Sequence, residues 1–393
     1  MTDAVRSTNG ADAAARVALR PVSGRRALDD FLRVPFALYR DDPHWVAPLH
    51  FERRQALSPK HPFFRHAEWQ AWVAYRDDRP VGRISAQLDR LYEERHGERV
   101  GYFGMIDAPD DPALFGALLA TAEAWLSERG AVRAVGPFNL GINQELGVLV
   151  DGFDTPPFFM MPHNRPYYGA ALEACGYRGA QDLLAYLIPA NFETPPVMAA
   201  LLRRLERQGV TLRPLDRKRV DEDLETLRDI FNDAWSGNWG FVPFTREEFL
   251  AVGHEMLMLI PDDFIHIAEL DGRPSAFIVL LPNLNEAIAD LNGRLLPFGW
   301  AKLLWRLKVR FPRTGRVPLM GVRRHLHHTR LGPGLAFLVI DAARRAAVRT
   351  QMTDVELSWI LDDNMGMRNI IETIGGRISK RYRMYEKPLA ADE

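Results

Sequence analysis

The chain has 393 residues, which at about 150 per domain allows two or three domains and a large buried core. Its 47% hydrophobic and 26% charged residues are those of a globular protein and exclude a disordered, collagen-like or coiled-coil chain. One cysteine, Cys175, excludes an intramolecular disulfide framework, and 50 basic against 51 acidic residues leave a formal charge of -1, so a global electrostatic case for nucleic acid fails.

Residues 1–16 are polar and rich in Ala, Gly and Asp, and read as a disordered tail rather than a signal peptide. No stretch of roughly eighteen uncharged apolar residues follows, so no membrane-spanning helix is expected, and the cytoplasm is the expected compartment. Residues 17–21 read as a strand and 27–39 as a helix. Strands 69–75 and 80–88 form a hairpin about Asp77-Asp78, followed by a strand at 100–106. A strongly periodic helix spans 112–129 and stops at Gly130, a natural C-cap. A strand at 132–136, a long insert, a helix at 167–174 and a strand at 182–188 complete this half. A linking helix, 197–208, leads into the second.

The plan then repeats. Val17-Ala18-Leu19-Arg20-Pro21-Val22 returns as Val210-Thr211-Leu212-Arg213-Pro214-Leu215, 193 positions on, and Asp77-Asp78-Arg79-Pro80 as Asp271-Gly272-Arg273-Pro274, 194 positions on. The second half reads as strand 210–214, helix 221–235, hairpin 264–270 and 274–281, strand 316–322, helix 334–349, strand 353–359, helix 364–374 and strand 377–386. The expected division is a first domain at 17–190, a linker at 191–209 and a second domain at 210–393.

This order, antiparallel strands and then helix, strand, helix, strand around a mixed sheet, resembles the GNAT acyltransferase superfamily. The expected fold class is therefore α/β with two GNAT-like domains in tandem. Between a strand ending at Val322 and the apolar helix at 334–349 lies Thr329-Arg330-Leu331-Gly332-Pro333-Gly334-Leu335. Glycines ahead of a helix let backbone N–H groups face an anion, and the helix N-terminus adds partial positive charge. The segment is similar to the GNAT pyrophosphate signature, with Thr329 in place of its Gln or Arg. Asn364, followed eleven residues later by Gly375, matches a second GNAT pattern, although Ile371 stands where the family carries a Tyr that protonates the leaving thiolate. Tyr382 and Tyr385 are the substitutes considered. The first half has Asp107-Ala108-Pro109-Asp110-Asp111 in place of a glycine loop, and three acids there would repel phosphates. The acyl thioester is therefore assigned to the second half.

The insert from Gly136 to Asn164 mixes apolar runs, glycines, prolines and single polar residues, the composition of a shaped loop beside a pocket. Glu145 and His163 are its general-base candidates, since an ammonium must lose a proton before attacking a thioester. Asn139, Asn143 and Asn164 are candidates for orienting an acceptor head group, and for each the alternative is a loop residue bonding its own backbone. With this insert, Asn238-Trp239-Gly240-Phe241 and the segments at 282–286 and 292–300 look like those of the bacterial ceramide synthase-like family of tandem GNAT-fold proteins. That resemblance covers nearly the whole chain after residue 16. It implies N-acylation of a sphingoid base or related amine from acyl-CoA or an acyl carrier protein thioester, with Trp239 on the substrate side. A soluble-amine or peptide N-acetyltransferase, and a non-catalytic acyl-thioester or lipid-binding protein, are the alternatives.

Two further features bear on partners. Residues 294–316 hold seven basic and no acidic residues among Leu, Trp and Phe, which suits either a peripheral contact with an anionic membrane or a core helix with a basic edge. His325, His327 and His328 lack the i, i+4 spacing that sets two imidazoles on one helix face, so no metal is expected and contacts to a ligand are the preferred reading.

Overall fold

The structure is a computed structural model that describes residues 17–389. Its strands are β1 (Ala18–Pro21), β2 (Ala67–Arg76), β3 (Arg79–Asp89), β4 (Val100–Asp107), β5 (Arg133–Gly136), β6 (Phe138–Asn139), β7 (Glu145–Leu146), β8 (Val148–Asp151) and β9 (Arg178–Pro189) in the first half. The second half supplies β10 (Val210–Pro214), β11 (Ile265–Leu270), β12 (Arg273–Pro282), β13 (Thr314–Val322), β14 (Asp354–Leu361) and β15 (Arg377–Pro388). The tail expected at 1–16 lies outside the described residues.

The mixed α/β architecture follows the sequence pattern closely. Helix Pro112–Ser127 buries Leu114, Phe115, Leu118, Leu119, Ala122 and Leu126, the spacing of one helical face, and Asp111 caps it by accepting the N–H groups of Ala113 and Leu114. Helix Gly332–Arg349 occupies the matching place in the second half. Both expected hairpin turns carry positive φ, at Asp77 and Asp78 and at Asp271 and Gly272, as two-residue turns between twisted strands require. Helices His50–Ala56, Arg90–His96 and Arg246–Leu257 add to the expected plan. The last was signalled by Thr245 and Glu248, which form a reciprocal capping box.

One continuous sheet runs β1-β2-β3-β4-β5-β15-β9-β14-β13-β12-β11-β10, with β8 also on β15. Among the described residues only β4 with β5 and β13 with β14 pair in parallel. The two copies of the strand plan lie at opposite ends, and their closing strands are exchanged. The first half's β9 pairs with β14, and the second half's β15 pairs with β5. β9 and β15 also pair with each other, with Arg383 opposite Asp182, whose carboxylate accepts from both Arg381 and Arg383.

Candidate active site

The parallel ladder between β13 and β14 runs only from Thr314 to Val317 against Asp354 to Leu357. Beyond it the strands continue to Val322 and Leu361 unpaired with each other, and a cavity of about 860 Å³ opens in the wedge. Val317, Met320, Val322, Leu357, Trp359 and Ile360 wall it from the two strands. Ile142, Asn143 and Leu146 from the insert, and Trp239 and Phe241, close it from outside the wedge.

The glycine segment meets this cavity through Gly332, Pro333 and Ala336, the first turn of helix Gly332–Arg349. A Cβ on Gly332 would fall 2.5 Å from the Leu326 carbonyl oxygen, so only glycine allows the helix to start there. Gly334 is different. A Cβ there would fall 3.3 Å from the Leu205 side chain, the residue is buried, and it does not line the cavity. Its lack of a side chain serves the packing of the linking helix, Pro196–Glu206. Leu335 is buried in the core, Thr329 bonds the Leu326 carbonyl and the Leu331 N–H, and Thr329, Arg330 and Leu331 all stand outside the lining. Asn364 does line it, at the head of helix Met365–Thr373, where its side chain accepts the Met367 N–H. Arg324, His327 and His328 add basic character on the same lining. His327 is held by the Val322 carbonyl at 2.6 Å. Among the described residues no group of three or more His, Cys, Asp or Glu side chains is placed to hold a metal ion.

The two proposed bases lie elsewhere. Burial alone would raise the Glu145 carboxyl, but Arg53, ion-paired with it, and the Asn139 amide outweigh that and hold it low. His163 is buried against Asp42 at 3.0 Å, and burial depresses its imidazole in spite of that partner. Neither lines the cavity. Asn164 is committed to the backbone of Leu149 and Arg165. Asn139 accepts the Met105 N–H, while Asn143 and Trp239 do reach the cavity.

The corresponding wedge of the first half is closed. There β4 and β5 pair only over Val100–Tyr102 and Arg133–Val135, and the insert fills the opening. Gln87 donates to the carbonyls of Phe138 and Leu140, and the Phe138 carbonyl lies so near Gly104 that any Cβ would collide with it. Two of the three acids of that segment are engaged within the first half, Asp107 by Arg83 and the Tyr39 and Tyr168 hydroxyls, and Asp111 by Arg76 and its helix.

Sequence reasoning named Tyr382 but missed Glu356 and Ser358, with which it shares a buried polar group at the apex of the open wedge. Arg316 on β13 and Glu356 on β14 are register partners, both almost wholly inaccessible. Ser358 joins them, accepting from Arg316 Nε at 2.8 Å and donating to Glu356 Oε1 at 2.6 Å. Tyr382 on β15 is fully buried with no partner for its hydroxyl among the described residues. Its ionisation is pushed well up by burial and then by the Glu356 charge. The signal was a Glu inside an apolar strand, Val355-Glu356-Leu357.

The paired and then splayed parallel strands, with a helix N-terminus at their opening, define a tandem GNAT fold, and comparison with known proteins agrees. A tandem GNAT protein from the clavulanic acid biosynthesis pathway superposes with a TM-score of 0.57 at 13% identity, covering 96% of this chain and 100% of that one. The GCN5-related glucosamine N-acetyltransferase region of a fungal multi-domain β-N-acetylglucosaminidase gives 0.58 at 13% identity, covering 96% of this chain and 38% of that one. In sequence, the chain is 46% identical over 371 residues to the bacterial ceramide synthase of Caulobacter vibrioides, covering 94% of this chain and 97% of the relative. It is 51% identical over 372 residues to protein YghO of Escherichia coli, covering 94% and 95%. No family model matches. The chain belongs to the bacterial ceramide synthase-like family of tandem GNAT-fold acyltransferases.

Proposed function

We propose that this protein transfers a long-chain acyl group from acyl-CoA, or from an acyl carrier protein, to the amine of a sphingoid base. The observation that carries the reading is the cavity itself. At about 860 Å³ it lies near the upper end of the ~300–1,000 Å³ usual for small-molecule sites. It is walled largely by apolar side chains and begins at a helix N-terminus with Arg324 and His328 beside it. A thioester with a phosphate-bearing end and a fatty end needs both features. The 46% identical relative named a ceramide synthase favours the sphingoid base among amines.

In this reading the second half holds the thioester, with its phosphates at Gly332 and the N-terminal turn, while the first half supplies Asn143 and the insert wall to the acceptor. The division into 17–190 and 210–393 is then one of roles, since the closing strands are shared. Thioester attack needs donors for the developing oxyanion, and the unpaired edges of β13 and β14 supply backbone N–H groups to the wedge.

The surface at 294–316 fits a peripheral contact with anionic lipid. Helix Gly299–Lys308 leaves Trp300, Leu304 and Trp305 half-exposed, and Leu296 and Phe298 before it are nearly 80% exposed. Of the seven cations, Asp290 neutralises Lys302 and Arg306 and Arg316 is buried, so four, Arg294, Lys308, Arg310 and Arg313, remain to meet an anionic surface. Among the described residues no helix is long and apolar enough to cross a membrane.

The test is direct. Purified protein is given palmitoyl-CoA with sphinganine and, separately, with short soluble amines and acetyl-CoA, and thiol release and amide product are followed. Ceramide-type product with the first pair carries the reading. Turnover confined to acetyl-CoA overturns the chain length, and turnover confined to soluble amines overturns the acceptor. Acyl-CoA binding without turnover on any amine overturns the enzyme.

A further inference from the structure

The apex of the wedge is where a thioester lying between β13 and β14 must end, because the strands close there. Ser358 is the first residue past the last paired position, Val317 with Leu357, and it lines the cavity. Its single hydroxyl hydrogen is within reach of Glu356 Oε1 at 2.6 Å and of Met161 Sδ at 3.5 Å, and the charged carboxylate is the stronger acceptor; one lone pair accepts from Arg316, and the second lone pair is uncommitted. Glu356 Oε2 has no hydrogen-bond partner among the described residues, although the residue is fully buried. A buried carboxylate with half its acceptor capacity unused is costly unless it serves the site. Resting on the transfer reading above, we propose that Ser358 receives the proton the acceptor ammonium must lose and that Glu356 takes it through Ser358.

The step balances. Ser358 Oγ takes one proton from the ammonium nitrogen as its own hydrogen passes to Glu356. The free amine then attacks the carbonyl, the C–N bond forms and the C–S bond breaks. The second nitrogen-bound proton leaves with the sulfur as the thiol, and Glu356 returns its proton through the Ser358 hydroxyl to the cavity once the products have left. Ser358 is the group that meets the substrate, and Glu356 is a positioning residue acting through it. Arg316 holds the Ser358 hydroxyl in this orientation. Burial lifts the Glu356 carboxyl above the ordinary carboxylate value, against the pull of Arg316, Ser358 and Lys380, which makes it the stronger proton acceptor. The charged and titratable groups facing it are Arg316 from β13 and Lys380 and Tyr382 from β15, with Glu145 acting on Arg316 from the insert.

The experiment uses the full chain with palmitoyl-CoA and sphinganine. Glu356→Gln and Ser358→Ala are expected to lower kcat/KM by about 100-fold or more while palmitoyl-CoA affinity, titrated without amine, stays within about two-fold. The acid limb of the wild-type pH–rate profile is expected to vanish in Glu356→Gln and to return, displaced, in Glu356→Asp. Should Glu356→Gln not fold, Ser358→Ala, which removes one oxygen, carries the test by itself. A folded variant that keeps the wild-type acid limb and a rate within three-fold overturns the relay. A wild-type protein inactive with every amine overturns the transfer reading, and the relay with it, whereas active wild type with unaffected variants overturns the relay alone.

Discussion

The Asn139 side chain accepts the backbone N–H of Met105 at 2.8 Å, so a side chain from the insert completes β4 where its partner strand has run out. The same residue donates to Glu145, tying the plug of the first wedge to the Arg53 ion pair. Asn139→Leu therefore strands a buried N–H and loosens the plug. We expect a loss of about 1–3 kcal/mol in stability, read by urea unfolding, with acyl-CoA affinity unchanged. A weakened affinity would show instead that the first wedge takes part in binding.

The two glycines of the 332–334 turn are expected to part company on substitution. Gly332→Ala sets a methyl against the Leu326 carbonyl, which is backbone and cannot step aside, so the helix start must move. Acyl-CoA binding should weaken about ten-fold, or about 1.4 kcal/mol, in a calorimetric titration. Gly334→Ala meets only the flexible Leu205 side chain and should leave affinity within about two-fold. Equal losses from both would return Gly334 to the phosphate site.

His66 clamps the halves together and makes their stability depend on pH. Its Nδ1 is 2.9 Å from Asp89, and its Nε2 stands 3.2 Å from Glu248, close enough for charge pairing though off the hydrogen-bond line. Burial lowers the imidazole, but the two carboxylates outweigh it and raise it to about 9. With the folded value above the unfolded one, this contribution is complete below about pH 6.5 and is lost as pH rises through about 9. We expect urea midpoints to fall across that window by the equivalent of about 2–3 kcal/mol and the fall to flatten in His66→Gln. An equally steep fall in the variant would assign the slope to other groups.

Trp300 and Leu304 lie one turn apart on an exposed helix face. Trp300→Ser with Leu304→Ser should abolish flotation with phosphatidylglycerol vesicles while leaving thermal stability near wild type. Raising salt should weaken the wild-type interaction, because the four uncommitted cations are surface charges. Binding to vesicles of phosphatidylcholine alone at equal strength would remove the electrostatic part of this reading.

Much of the fold is written in hydrophobic period and turn chemistry. The hairpins at Asp77-Asp78 and Asp271-Gly272 and the helices at 112–127 and 332–349 follow from local rules. The strand exchange does not, because a repeat specifies the order of elements and not which copy's last strand pairs with which neighbour. β9 and β15 are both twelve-residue strands with the same claim on either place. Of the residues that line the cavity, Gly332 is legible from its glycine turn, Val322 from the strand that leads to it and Asn143 from the polar insert, whereas Asn364 and Trp239 are read through the family resemblance. Glu145 and His163 drew attention as lone ionisable residues in an unusual insert, yet their partners, Arg53 and Asp42, lie far away in sequence. Glu356 has one local sign, a carboxylate between Val355 and Leu357, but Arg316 and Tyr382, which make it part of a site, lie 40 positions before it and 26 after it in sequence.

The position of β15 also constrains how the molecule is made. β15, the last of the fifteen strands in chain order, is the one that enters the middle of the sheet, between β5 and β9. Until it arrives, both of those strands present unpaired backbone edges, and the first half, though synthesised long before, has no closed sheet to rest in. The sheet therefore closes only once β15 has been made, and the exposed edges need shielding until then.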